Sequence, residues 1–420
     1  MLRAISEVTE ATISGKYLHW HKLRFYTPPE GLTLKQWWFG IKMKRRSQAR
    51  AIGLLDKAGS PFTYSLVDPL PEFLHLADSD ARGVLQAVEP ITNPETKKNY
   101  LVRSLIEESI TSSQLEGANT SHRVAKEMIR QGRKPRDKSE QMIFNNYMVM
   151  QHILEVKDQD LSRDLVLEIH RMVTEGTLDD PSAAGRFRSP EETVVVDDQF
   201  GEVLHEPPIA EELPARMEAM CAFANGDSPG GFIHPVIRSI ILHFWIAYDH
   251  PFIDGNGRTA RSLFYWSMLR RGYWLFEFIP ISRIILQAPS KYAAAYLHTE
   301  TDDNDLTYFL LYHADVIRRA ISDLHLYLER QTREVAEAVA ELRGLTYLNH
   351  RQRDLVNHAL RHPGFVYTVE SHKGSHVISY ETARQDLMAL VRRKLLTKRR
   401  SGRYWQFSPA FDLEAILRRS

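Results

Sequence analysis

Twelve consecutive residues, His250 to Arg261 (HPFIDGNGRTAR), bring together a histidine, a carboxylate, an asparagine between two glycines and two arginines. An imidazole is substantially unprotonated near neutral pH and can accept a proton from a hydroxyl. Gly255 and Gly257 allow backbone conformations that other residues resist, and with Asn256 they can turn successive N–H groups toward an anion. Arg258 and Arg261 are three apart, so on a helix both guanidinium groups lie on one face. The set points to a base held beside an anion cradle.

The flanking stretches must position it. Pro235 to Asp249 carries apolar side chains at 237, 240, 241, 244, 245 and 248, the spacing of a helix with a buried inner face. His250 falls where that helix ends and Pro251 stops it. A second apolar helix, TARSLFYWSMLRRG, is expected to follow as far as Gly272. Helix, glycine-containing loop and helix N-terminus together present unpaired N–H groups and a positive dipole end. His234, just ahead of the first helix, cannot assist His250, because sixteen residues of helix would separate them by about 24 Å.

The twelve residues match the signature of the Fic family, HPFx[D/E]GNGRxxR, at every specified position. The resemblance implies transfer of AMP from ATP to a hydroxyl side chain of a target protein. His250 would then be the base. Asp254, a hard oxygen ligand, would hold a Mg2+ that also takes phosphate oxygens, since one carboxylate alone is no magnesium site. Gly255, Asn256, Gly257, Arg258 and Arg261 would bind the ATP phosphates, and Phe252 would point inward as a packing anchor.

Three further segments acquire meaning from the same resemblance. Ser112-Ser113-Gln114-Leu115-Glu116-Gly117 is similar to the inhibitory [S/T]xxxE[G/N] motif, whose glutamate pairs with the second signature arginine, here Arg261. Ser112 and Glu116 share a helix face, and Gly117 suits a helix end. A carboxylate on that guanidinium would compete with a phosphate for it. Thr193, Val194, Val195 and Val196 form a β-rich run, with turn residues over 198–201 and a returning strand over 202–205. This hairpin would be the family's flap, adding the target as an extra strand, or else a plain surface hairpin. Tyr292 would contact adenine, or else be a buried aromatic without a ligand.

At 420 residues the chain can hold two or three domains and a substantial core. No window offers 18 uncharged apolar residues, and the first twenty lack an apolar run of signal-sequence type, so a cytoplasmic protein with no membrane partner is expected. Cys221, the single cysteine, allows no intrachain disulfide and reads as a small core residue. Net charge is +1, unevenly spread: residues 345–420 hold 14 Lys and Arg against 6 Asp and Glu, the rest 40 against 47. Nucleic acid is therefore expected, if anywhere, at the C-terminal end.

The expected fold class is mainly α: a Fic-type helical domain with a β-hairpin flap, a smaller α+β N-terminal region and a C-terminal winged helix. Residues 1–95 form the first region, 96–330 the Fic domain, 331–344 a helical linker and 345–420 the winged helix. In the first, 32–55 reads as one helix and GSPFTYSLVD as turn plus strand. The basic cluster from Lys42 to Arg50 reads as a solvated helix face, or else as a nucleic-acid or partner contact. In the last, His350 to His362 is a helix, Phe365 to Val369 a strand, Ser379 caps a recognition helix, and Thr397 to Phe407 is a hairpin turning at Ser401 and Gly402. Arg384 and Gln385, with Tyr380 and Thr382, would lie near DNA, and Arg399, Arg400 and Arg403 near phosphate. The alternative for this module is protein docking.

The reading is thus an ATP-dependent, Mg2+-assisted protein adenylyltransferase restrained by Glu116, with a protein target, DNA and a second copy of the chain as partners. Two alternatives stand beside it. The same site can remove AMP, with Glu116 orienting a water, or the core can sense nucleotide for a DNA-binding regulator.

Overall fold

In the computed structural model, which describes residues 8, 10–82, 94–197, 203–227, 231–345, 347–401 and 404–417, the chain divides into two compact units. One comprises Met1–Val84 with Ser104–Ile321, the other Leu85–Arg103 with Ser322–Ser420. The fold is mainly α, with small two-stranded sheets.

After a single helical turn at Trp20–Leu23, the first unit forms helix α1 (Leu34–Gln48), started by a reciprocal cap between Thr33 and Gln36. The stretch read as one helix over 32–55 ends there. Its β-branched and glycine-containing continuation forms strand β1 (Arg50–Leu55), which pairs antiparallel with β2 (Pro61–Tyr64). The basic cluster is not uniformly solvated either. Arg45 is buried, donates to Tyr308 Oη at 2.6 Å and to the Ala11 and Leu18 carbonyls, and stacks over Tyr17. With Lys42 at 2.5 Å from Asp302, it fastens α1 to the segment 302–308. Helix α2 (Leu70–Ala77) follows.

The first unit also holds the part of α3 (Pro94–Leu115) from Ser104 onward, α4 (His122–Gln131), α5 (Lys138–Val156), α6 (Arg163–Thr174), α7 (Leu213–Asn225), α8 (Pro235–Asp249), α9 (Asn256–Arg270), α10 (Ile281–Leu286) and α11 (Pro289–Thr301). Helices α8 and α9 are buried nearly all round rather than on one stripe. They form the central hairpin, with α5 and α6 against α9 and α7 against α8. The expected hairpin is formed by β3 (Val196–Asp197) paired antiparallel with β4 (Val203–His205). Thr193, Val194 and Val195 precede β3 without ladder bonds, so the strand is shorter than the β-rich run suggests; the expected turn (198–201) and the first residue of the expected returning strand (202) lie outside the described residues.

Helix α12 (Thr307–Gly344) contributes Ala338 and Leu342 to the core of the second unit. Around that core stand α13 (His350–Arg361), α14 (Val369–His376), α15 (Tyr380–Arg392), the hairpin β5 (Leu396–Ser401) and β6 (Tyr404–Pro409), and α16 (Leu413–Leu417). The strand expected at Phe365 to Val369 is absent apart from one bridge, Tyr367 to Phe407. Thr368 instead caps α14: its Oγ1 accepts from the Ser371 N–H, and its own N–H donates to Ser371 Oγ. Ser379 caps α15 as expected. Gly402 and Arg403 lie outside the described residues.

Candidate active site

Helix α8 ends in a left-handed residue, and that residue is His250 (φ 44°, ψ 57°). The conformation is unusual for a residue other than glycine and turns the chain sharply at the imidazole. Three contacts hold it. Its N–H closes on the Ile246 carbonyl at 3.0 Å, its carbonyl accepts from Arg188 Nε at 3.0 Å, and its Nδ1 faces the Ala247 carbonyl at 3.3 Å. With Nδ1–H donated there, Nε2 carries the free lone pair. Burial pulls the His250 pKa down to about 4 against an ordinary 6.5; the Ala247 carbonyl and Glu116 work the other way. The imidazole is therefore neutral at pH 7, the form a base requires.

The loop is built to hold one shape. The Asn256 side chain bridges back to Phe252, accepting from its N–H at 3.1 Å and donating to its carbonyl at 2.8 Å. Gly255 has φ +85°, and a β-carbon there would meet Thr174 Cγ2 at 2.7 Å, so both conformation and closeness exclude a side chain. Helix α9 begins at Asn256, three residues earlier than expected, which places Gly257 and Arg258 in its first turn. Asp254 is half-exposed; its carboxylate accepts from Gly255 N–H and lies 3.5 Å from Arg258 Nη2.

Arg258 and Arg261 are both buried. Arg258 Nη1 donates to the Val173 carbonyl at 2.9 Å, while its Nε and Nη2 have no hydrogen-bond partner among the described residues. Buried donors left this way are costly unless something meets them, and a phosphate oxygen would. Arg261 is satisfied: Nε donates to Ser112 Oγ at 2.8 Å, and Nη2 to the Ser112 carbonyl at 2.9 Å and to Glu116 Oε1 at 2.8 Å. Burial acts against its charge, but the Glu116 carboxylate outweighs that and raises its pKa. The expected pairing of Glu116 with Arg261 is thus present, and Ser112, for which no such contact was expected, joins it. Tyr292 is half-buried, its hydroxyl 2.8 Å from His243 Nε2 and 3.0 Å from Tyr296 Oη.

Two positioning residues escaped the sequence reading. His170 on α6 stacks flat on Phe252, with ring centroids 3.6 Å apart and planes within 5°. Its Nδ1 accepts from Gly185 N–H at 3.0 Å, which fixes the proton on Nε2, 2.9 Å from the Asp254 carbonyl. Arg188 ties the His250 carbonyl to the Pro208 carbonyl beyond the flap. A histidine on the apolar stripe of LVLEIHRMV was a visible signal; nothing distinguished Arg188 from neighbouring arginines. A separate polar cleft of ≈ 750 Å³ near Lys42, Glu300 and Asp303 shares no residue with the motif.

Comparison with known proteins places this geometry. The model of the Fic/DOC family matches residues 160–268, which contain the whole of HPFIDGNGRTAR. The chain carries a Fic/DOC domain. Ser112, Glu116 and Tyr292 lie outside the matched stretch. The chain is 36% identical over 117 residues to a protein adenylyltransferase Fic of Nematostella vectensis, covering 28% of this chain and 25% of that one. To a protein adenylyltransferase Fic of Drosophila melanogaster it is 30% identical over 172 residues, 41% and 31% of the two chains. The aligned region thus spans about a quarter to a third of these curated relatives. A Fic family protein from Desulfovibrio desulfuricans G20, solved as a crystal structure, shares the fold with a TM-score of 0.53 at 17% identity, covering 82% of this chain and 97% of that one.

Proposed function

We propose that the Fic domain is a protein adenylyltransferase that moves AMP from ATP to a Tyr, Thr or Ser hydroxyl of a target protein and is restrained by Glu116. The observation that carries this reading is an occupied anion site. At the N-terminus of α9 the Glu116 carboxylate stands on Arg261, in the region where backbone N–H groups and the unpartnered donors of Arg258 would receive phosphates.

In the transfer, His250 Nε2 takes the proton of the acceptor hydroxyl. The hydroxyl oxygen bonds to the α-phosphorus, the bond from that phosphorus to the bridging oxygen breaks, and pyrophosphate leaves. Arg258 and Arg261 neutralise the outer phosphates, and the N–H groups of Gly255 to Gly257 hold the inner ones. Mg2+, when bound with the nucleotide, would take Asp254 as its one protein carboxylate and would screen the phosphate charge. The half-exposed Asp254 carboxylate beside Arg258 is a hard oxygen donor that fits a metal whose other ligands are phosphate and water oxygens. The two-stranded flap, with Val195 and Val203 exposed, gives the target an edge on which to lie. Tyr292 is assigned to the adenine side.

The test is the intact mass of the Glu116→Gly protein after incubation with ATP and Mg2+ and a candidate acceptor. A gain of one AMP that disappears in the Glu116→Gly/His250→Ala protein supports the assignment; no gain in any acceptor pool refutes it.

Residues 345–420, within the second unit, are proposed to be a winged helix that contacts DNA through α15 and the basic hairpin. Arg399 and Arg400 on β5 are exposed, while Arg384 and Gln385 both donate to Glu381, at 2.9 and 3.2 Å. A surface pair of this kind is weak enough to open for a phosphate. Glu381→Gln should therefore tighten duplex binding, and Arg399→Ala/Arg400→Ala should weaken it and lower the salt slope by about two. Among the described residues no helix is long and apolar enough to cross a membrane. A cytoplasmic location and a homodimer complete the proposal, the latter to be read by sedimentation.

A further inference from the structure

The plug on Arg261 is the end of a longer ladder. On α3 and just past its end, Glu108, Ser112 and Glu116 are spaced by four. On α9, Tyr265, Arg261 and Gly257 are spaced by four in the opposite direction. Each step is in contact. Tyr265 Oη lies 2.8 Å from Glu108 Oε2, Arg261 Nε donates to Ser112 Oγ at 2.8 Å, and the Glu116 carboxylate stands over Gly257. Residues four apart share a helix face, so two antiparallel helices are registered by one polar stripe.

Glu108 is the anchored end of that stripe. It is buried, and besides Tyr265 it meets both donors of Ser282 on α10: the backbone N–H at 3.0 Å, and the hydroxyl in a short contact with Oε1. Tyr265 Oη in turn accepts from Ile281 N–H at 2.8 Å and lies 2.9 Å from the Ile279 carbonyl. A buried carboxyl in contact with two other helices has few alternative positions, because sliding α3 by one residue would strand every one of these groups without a partner. Eight residues of helix, about 12 Å, separate Glu108 from Glu116, so it touches neither the nucleotide space nor Arg261 directly.

We propose that Glu108 is a positioning residue for the inhibition: by tying α3 to Tyr265 and Ser282 it sets the register that delivers Glu116 to Arg261. This rests on the reading of Glu116 as a plug. Releasing the anchor lets α3 shift or fray, and the carboxylate leaves the phosphate position for part of the time. ATP then gains access in proportion to the fraction unplugged.

The experiment is a double-variant cycle with two readouts, AMP incorporation and the Kd for ATP with Mg2+. Glu108→Ala is expected to tighten ATP binding and raise incorporation by about fivefold or more, within the usual range of coupling between sites. In the Glu116→Gly background the same substitution should change neither beyond about twofold, because no plug remains to misplace. Glu108→Gln, whose amide oxygen can accept from Tyr265 Oη and the Ser282 N–H while its NH2 donates to Ser282 Oγ, should stay near the parent protein. Ser282→Ala removes one donor from the far side and should act in the same direction as Glu108→Ala, which covers the case in which the alanine variant folds poorly. Equal effects of Glu108→Ala with and without Glu116, or none in either background, overturn the proposal. If Glu116→Gly transfers no AMP at all, the transferase reading fails, and the ATP affinity still decides whether Glu108 sets the register.

Discussion

A β-carbon on Gly257 would lie 2.1 Å from Glu116 Oε1 and 3.1 Å from Arg261 Nη1. The carboxylate therefore occupies, above the first turn of α9, the place in which a helix N-terminus receives an anion. On the proposed reading a nucleotide phosphate would need the same room above the glycine that Glu116 takes here. Gly257→Ala should consequently break the Glu116 contact without releasing activity, since the methyl group takes the room the phosphate needs. Gly257→Ala/Glu116→Gly is expected to transfer AMP at least about a hundredfold more slowly than Glu116→Gly, comparable to losing an oxyanion donor. Rates near those of Glu116→Gly would show that the phosphates lie elsewhere.

His250 supplies a prediction in pH. Burial sets its pKa near 4, so in the free enzyme it stays unprotonated well into the acid range. Because kcat/KM reports groups of the free enzyme, the profile for ATP in Glu116→Gly should run flat from pH 8 down to about pH 5. The kcat profile should fall at higher pH than this, because bound phosphates favour the imidazolium. An acid limb of kcat/KM centred near 6.5 would mean that the imidazole is solvated rather than held at the end of α8.

His170 ties loop geometry to stability. Burial lowers its pKa to about 4 as well, opposed by the Asp254 carbonyl. The unfolded chain takes up a proton near pH 6.5 that the folded chain refuses until about pH 4. Its contribution is complete above pH 6.5 and is lost on acidification through that window, by about 1.4 kcal/mol per pH unit. His170→Gln should flatten the dependence of urea midpoint on pH between 6.5 and 4 by about one proton. It should also lower kcat more than it raises KM for ATP, because Phe252 and the Asp254 carbonyl lose the ring that aligns them.

The core of this site was legible because its constraints are local. A proline after a helix, glycines at a tight approach and two arginines one turn apart each have a physical reason that survives without the rest of the fold. The pairing of Glu116 with Arg261 was legible only through the pattern of a known family, since no local rule joins residues so far apart. What went unread depends on tertiary contacts or on competing local signals. The β-branched residues at 193–196 suggested a longer strand, yet only Val196 finds a ladder partner, in His205. Val366, Thr368 and Val369 suggested a strand at 365–369, but the Thr368 and Ser371 side chains close a reciprocal cap, and that local bonding starts α14. Arg45 looked like one of several surface cations; its burial follows from Tyr17, Asp302 and Tyr308, which only the folded chain brings near.

In the second unit a single carboxylate joins three helices. Asp386 on α15 is buried and accepts from Asn349 Nδ2 at 2.8 Å, from Arg351 Nε at 2.7 Å, both at the start of α13, and from His372 Nε2 on α14 at 3.3 Å. Burial alone would raise its pKa, but the Arg351 guanidinium and the other donors outweigh that and hold it below the ordinary carboxylate range. Its contribution is thus present at neutral pH and is lost only as the pH falls below about 4. Asp386→Ala would leave Arg351 and His372 without an acceptor in a half-dry site, a change that costs about 3 kcal/mol or more. Hydrogen exchange at pH 7 should then show amides of α13, α14 and α15 opening at least about a hundredfold more often, with α8 and α9 unchanged. Slow exchange in α15 of that variant would mean that the apolar contacts of Leu387 and Leu390 hold the three helices together without the carboxylate.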